Sequence, residues 1–358
     1  MPLIIEGGRV PSRWPERGTP RPALSIDSRA KHPECLQLAL INNMPDSALE
    51  DTELQFFELL DTASGDIPVV IKLYSLAGVP RTERGQRHLN SFYRDLSDLW
   101  NNRFDGVIIT GTEPREPDLR DEPYWGLMAN VFDWAERNTS STVLSCLAAH
   151  ASVLHCDGIP RHRLSDKLFG VFESAKTRDH ALMDGAPSVL RFPHSRWNEV
   201  QESELAAAGY DVLTKSRSAG VDLFVKKKKE SLFVHFQGHP EYGSQTLVKE
   251  YRRDIKRFLR GERETYPTMP HSYFDSSAVA RLERLRERAL SDRCEEIIES
   301  FPESVVSGLK NGWQSSAIGI YRNWLNFIVS CNVEARAFST FTPAGRQRCQ
   351  LPVNNETA

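Results

Sequence analysis

The chain has 358 residues, 26% of them charged, and a net charge of -3; this length supports one large α/β core with an appendage or two domains. Opposite charges are interspersed, which excludes the electrostatic footprint of a nucleic-acid binder, and no apolar run approaches the roughly 18 residues of a membrane span. Six scattered cysteines (Cys35, Cys146, Cys156, Cys294, Cys331, Cys349) without a CxxC pair, and the lack of a secretory leader pattern, predict reduced thiols in a cytoplasmic protein with no disulfide framework and no metal site.

Residues 1–34 are rich in Pro, Gly and Arg and read as a flexible N-terminal arm. From Leu36 the chain alternates. The apolar run LQLALINNM predicts a strand, and Ala48 to Ala63, with Leu49, Phe56, Phe57 and Leu60 at helical spacing, predicts a helix. The alternation continues through PVVIKLYSL, the 89–100 segment, FDGVIITG, the Trp125–Thr139 segment and STVLSC. Strands alternating with helices imply βαβ crossovers and a mostly parallel sheet covered on both faces. After residue 165, KLFGVF, SVLRF, VDLFVKK and SLFVHF read as an antiparallel extension, with Lys226–Glu230 as a solvated hairpin turn. Ser244 to Arg260 predicts an amphipathic helix with Leu247, Tyr251, Ile255 and Leu259 on one face. A 266–358 helical extension follows, packing on the 35–265 domain. Its charged helix carries Val279, Leu282, Leu285 and Ala289, and the apolar run from Ile318 to Val329 docks firmly. The extra helix and this run predict a homodimer.

In an α/β sheet the ligand crevice lies at the carboxyl ends of the strands. Three strand-following turns have chemical potential there: Thr110–Glu113 with its glycine, Ser145–Leu147, and Gly238–Tyr242. Free cysteine is most often a small buried hydrophobe. Cys146 differs in opening a helix, where the helix dipole favours a thiolate and a histidine lowers its pKa further. His239 suits that partner, and Glu241 suits the carboxylate that orients the imidazole. The structural alternatives are a turn-shaping His239 and a Glu241 that caps the next helix.

GVIITG, the cysteine after STVLS, GIPRHRLSDKLFGVFES, FPHSRWNEV, FVHFQGHPEYGSQTLVKEYRRD and NWLNFIV, in this order, resemble segments of the homoserine O-succinyltransferase family. The resemblance covers about residues 36–265 and resumes at 311–330. It implies a class I glutamine amidotransferase-like, flavodoxin-like fold, and acyl transfer from acyl-CoA, a co-substrate, to the hydroxyl of L-homoserine in methionine biosynthesis. By the same resemblance Cys146 is the acyl-thioester nucleophile, His239 the general base and Glu241 its orienting carboxylate. Lys167, Ser195 and Arg253 match positions that hold the amino acid; an arginine fork suits an α-carboxylate. Backbone N–H groups at Leu147 and the Gly111 turn fit an oxyanion hole.

Departures mark where the likeness loosens. Leu147 and His150 stand where many members have Trp and Gln, and MPDSALEDTE replaces an early MPKK. Arg115 occupies the position linked to acyl-group choice, where Gly or Glu would mark succinyl or acetyl donors; its charge favours a dicarboxylic, succinyl group, pointing to solvent or contacting coenzyme A phosphates are equal alternatives, and acetyl-CoA stays open. Serine as the acceptor and a glutamine amidotransferase-like hydrolase are the rival readings, the latter weakened by Ala148, where such enzymes usually carry glycine.

Overall fold

The computed structural model describes residues 3–6 and 35–340, with side chains described to residue 334. Apart from residues 3–6, the expected arm lies outside them. Leu3–Ile5, within that arm, is itself a strand. In chain order the first half comprises β1 (Leu3–Ile5), β2 (Leu36–Ile41), α1 (Asp46–Ala63), β3 (Val69–Tyr74), α2 (Glu83–Phe92), α3 (Leu96–Trp100), β4 (Phe104–Thr110), α4 (Trp125–Asn138), β5 (Thr139–Ser145) and α5 (Leu147–Asp157). The second half comprises β6 (His162–Lys176), β7 (Val189–Glu199), α6 (Glu202–Ala207), β8 (Asp211–Val212), β9 (Thr214–Ser216), β10 (Gly220–Val221), β11 (Leu223–Lys228) and β12 (Ser231–Phe236). It closes with α7 (Thr246–Leu259), α8 (Ser276–Ser291), α9 (Ser304–Ser307) and α10 (Gln314–Thr340).

The main sheet runs β1-β3-β2-β4-β5-β12-β11-β8. Its first six strands pair in parallel, while β11 and β8 are antiparallel. The order reverses direction between β2 and β4, which opens a crevice at their carboxyl ends. The architecture is α/β. On one face α1 and α10 bury Phe56, Phe57, Tyr321 and Trp324 in a continuous core; on the other α4 and α5 bury Met128, Phe132, Ala148 and Ala151. Because both faces are covered, β2 is buried at every residue and reads as an unbroken apolar run. α10 belongs to this core: Trp324 Nε1 donates to Ser141 Oγ at 2.9 Å from beneath the sheet.

A second sheet, β10-β9-β6-β7, stands apart. KLFGVF and SVLRF lie in it as the antiparallel pair β6 and β7. SLFVHF corrects the sequence expectation: as β12 it is the sixth parallel strand of the main sheet, because its buried residues pair with β5, and only its other edge meets β11 antiparallel. The Lys226–Glu230 run closes that hairpin, with Lys226 and Lys228 bound to Asp157 at 2.6 and 2.8 Å rather than left to solvent. The 89–100 segment is also two helices, since Tyr93 is extended and the Asp95 side chain accepts from Ser97 N–H at 2.8 Å to start α3. In α8 the buried stripe is Ala278, Leu282, Leu285 and Ala289, with Val279 half-buried beside it. α7 buries Leu247, Tyr251, Ile255 and Leu259 as its spacing predicts, and α8 packs with it.

Candidate active site

β5 ends at Ser145 and α5 begins at Leu147, which forces the chain to turn sharply at one residue. That residue is Cys146, with φ 50° and ψ -106°, a conformation costly for any side chain. The strain is held by pairing on both sides: Cys146 N–H donates to Phe236 O at 2.8 Å, and Cys146 O accepts from Ala149 N–H at 3.0 Å. A half-buried sulfur is thereby lifted above the strand ends into a cleft of about 1010 Å³. Gly111, at the end of β4, meets the same turn so closely that a Cβ would lie 2.3 Å from Leu147 Cβ. Only glycine allows this approach. The Leu147 N–H, in the first helical turn, has no acceptor within its own helix.

His239 follows β12, the strand paired with β5, so parallel register alone brings it beside Cys146. Its Nδ1–H donates to Glu241 Oε1 at 2.8 Å, and the Cys146 side chain acts on the same ring. Burial opposes charge on this imidazole, but the Cys146 sulfur and the Glu241 carboxylate outweigh it and hold the proton on the ring well above the usual range. Glu241 Oε1 also accepts from Ser145 Oγ at 3.1 Å. It therefore steadies the ring instead of capping α7. Tyr242 stacks on His239 with centroids 4.2 Å apart.

A deeper polar layer fixes the turn that carries His239. His239 N–H donates to Pro193 O at 2.8 Å, and Gly238 N–H donates to Asp222 Oδ1 at 2.7 Å. His194 lies 3.6 Å from that carboxylate oxygen. Burial pushes the Asp222 carboxyl up to about 6 and the His194 imidazole well down. A side chain at Gly238 would collide with Asp222, Pro193 and His194. His150 joins the polar interior: its Nε2 meets Gln237 Oε1 at 2.9 Å, and burial drives its pKa down to about 3, so it is neutral. It acts as a packed polar group.

The opposite wall is built by β6, β7 and α7. β6 shifts register between Arg163 and Leu168, a bulge that re-aims Lys167 into the cleft. Lys167 Nζ lies 3.0 Å from Asp254 Oδ2 and 3.5 Å from Glu250 Oε2, and 4.0 Å above the Phe169 ring. Ser195 Oγ donates to Glu250 Oε2, and Tyr242 Oη donates to Glu250 Oε1 at 2.7 Å. Arg253 Nη2 lies 3.2 Å from Asp254 Oδ1. Burial alone would raise the Asp254 carboxyl; Lys167 and Arg253 outweigh it and hold it below the ordinary range. Two cations and two carboxylates are thus paired in one wall.

Eight of the nine sequence-derived site residues line this cleft: Cys146, His239, Glu241, Lys167, Ser195, Arg253, Leu147 and Gly111. Arg115 does not. It is exposed on the loop after β4, and its N–H donates to Glu122 Oε1 at 2.5 Å. Sequence reasoning missed Asp254, Asp222, Gln237 and Arg196, the last a buried guanidinium that donates to Asn198 O and Ala219 O. Asp254 was legible as the carboxylate after Arg253; Asp222 carried no signal, because a single Asp between strands looks like any turn residue.

Fold and site define an α/β protein with a cysteine–histidine–glutamate constellation at the ends of parallel strands. The homoserine O-succinyltransferase family pattern matches residues 24–334. A homoserine O-succinyltransferase of Rhodopseudomonas palustris is 44% identical over 313 residues, covering 86% of this chain and 94% of that protein. One from Bradyrhizobium japonicum is 41% identical over 332 residues, covering 92% and 99%. The chain belongs to the homoserine O-succinyltransferase family, a family of acyltransferases. Among solved structures, it is similar to a glutamine amido transferase from Methylobacillus flagellatus, with TM-score 0.46, 11% identity, and 82% and 95% of the two chains covered. No described helix is long and apolar enough to cross a membrane.

Proposed function

We propose that the chain transfers a succinyl group from succinyl-CoA to the hydroxyl of L-homoserine through a Cys146 acyl-enzyme. The observation that carries this reading is that the Cys146–His239–Glu241 constellation opens into the same cleft as Lys167, Ser195, Glu250, Arg253 and Asp254. In the first half, the Cys146 thiolate attacks the thioester carbonyl, a new carbon–sulfur bond forms, and the carrier leaves as a thiol with the proton of His239. N–H groups at Leu147 and the Gly111 turn suit the developing oxyanion, worth about 3 to 4 kcal/mol per donor in comparable sites. In the second half, His239 takes the homoserine hydroxyl proton as the oxygen attacks the acyl-enzyme and the Cys146 sulfur departs. Glu241 keeps Nε2 of the ring toward the sulfur throughout.

Lys167 and Arg253 suit the acceptor carboxylate and Glu250 with Asp254 the ammonium. The same reading expects a cytoplasmic homodimer serving methionine biosynthesis. Incubation with succinyl-CoA is expected to add one succinyl mass to Cys146, discharged by homoserine and not by serine. Acetyl-CoA acting equally well overturns the donor assignment, serine acting equally well overturns the acceptor, and glutamine hydrolysis without any acyl adduct overturns acyl transfer.

A further inference from the structure

The β6 bulge divides the cleft wall into two electrostatically different parts. Beyond the bulge, at Lys167, cations and carboxylates are matched. Before it, Arg161 and Arg163 line the cleft together with Trp197, and among the described residues neither guanidinium forms an ion pair with a carboxylate. Arg161 Nη2 donates to Pro117 O at 3.0 Å, whereas its Nη1 has no acceptor among the described residues. Burial disfavours the Arg161 charge and Arg163 opposes it further, while Tyr124, Glu122 and Asp118 support it without an ion-pair contact. Arg163 is exposed and lies over the Trp197 indole, 4.4 Å from the ring centroid.

A zwitterionic acceptor has no use for an unbalanced pair of cations. A short acyl chain ends close to the Cys146 sulfur, while the carrier of a thioester trails outward to the rim, where Arg163 meets solvent. Guanidinium pairs suit phosphate oxygens, and an indole face suits a stacked base. We propose that Arg161, Arg163 and Trp197 form the docking site for the phosphorylated nucleoside end of the acyl carrier, an inference that rests on the acyl-CoA reading above.

The test compares succinyl-CoA with succinyl-N-acetylcysteamine, a thioester that keeps the acyl group and lacks the nucleotide. The ratio of their kcat/KM values is expected to fall about tenfold in Arg163→Ala and further in Arg163→Glu. Adenosine 3′,5′-bisphosphate, titrated calorimetrically, is expected to bind the unaltered protein and to lose affinity by about the same factor in Arg163→Glu. A ratio held within about twofold overturns the proposal, as does an equal loss with both thioesters, which would assign the arginines to the acyl carboxylate. Unaltered protein that is acylated by neither thioester refutes the acyl-transfer reading itself, an outcome separate from an unchanged ratio.

Discussion

The two sheets contribute unequal kinds of chemistry. The main sheet supplies Cys146 and His239 from the ends of adjacent parallel strands, so their meeting is enforced by backbone register and by a buried layer of Asp222, Pro193 and Gly238. The small sheet supplies Lys167 from a bulge and Ser195 from β7, held by side-chain contacts to Glu250 and Asp254 of α7. On the proposed reading, rigid backbone holds the reacting atoms and exchangeable ion pairs hold what binds. A substrate can displace an ion pair partner, but it cannot shift a strand.

This contrast breaks most decisively at Cys146, the proposed nucleophile. Cys146→Ala is expected to abolish the acyl adduct and lower turnover by about 10⁴-fold or more, read by intact-protein mass and steady-state rates. His239→Ala should slow both half-reactions by about 10² to 10⁴-fold if, as proposed, the same ring serves each proton transfer. On the other wall, Arg253→Ala should cut kcat/KM for homoserine by about 10²-fold, yet leave formation of the acyl-enzyme at its normal rate in a stopped-flow experiment. If that variant slowed acylation equally, the division of labour between the walls would be wrong.

The smallest effect concerns stability. Asp222 titrates near 6 when folded, against 3.8 as an unperturbed carboxyl, because burial disfavours its charge. The folded state therefore holds the extra proton between about pH 4 and pH 6, and stability falls as pH rises through that window. Ionised Asp222 costs up to about 3 kcal/mol at neutral pH, so Asp222→Asn should raise the melting temperature at pH 7 and lose that advantage below about pH 4. A melting temperature unchanged at both pH values removes Asp222 as a buried charge.

Much of this was legible in local patterns. The spacing of Leu247, Tyr251, Ile255 and Leu259 marked the buried face of α7, and the apolar run before Cys146 marked β5, because helix and strand periodicities are properties of neighbouring residues. Val279 misled by one position, since its neighbour Ala278 packs inward just as well in a helix of that spacing. SLFVHF looked like one more antiparallel strand, and Arg115 fitted an acyl carboxylate, a carrier phosphate or solvent equally, because neither partner strands nor loop direction are written in the residues themselves.

The sequence by itself determined the alternation of strands and helices, the turns that end them and the residue types able to do acyl chemistry, all of which depend on short-range sterics and burial. Only the tertiary structure decided that β12 lies against β5, that the bulge in β6 turns Lys167 toward α7, and that Arg115 stays out of the cleft. Those outcomes depend on pairing between segments far apart in the chain, where the free energy is shared among many contacts and no single residue carries the signal.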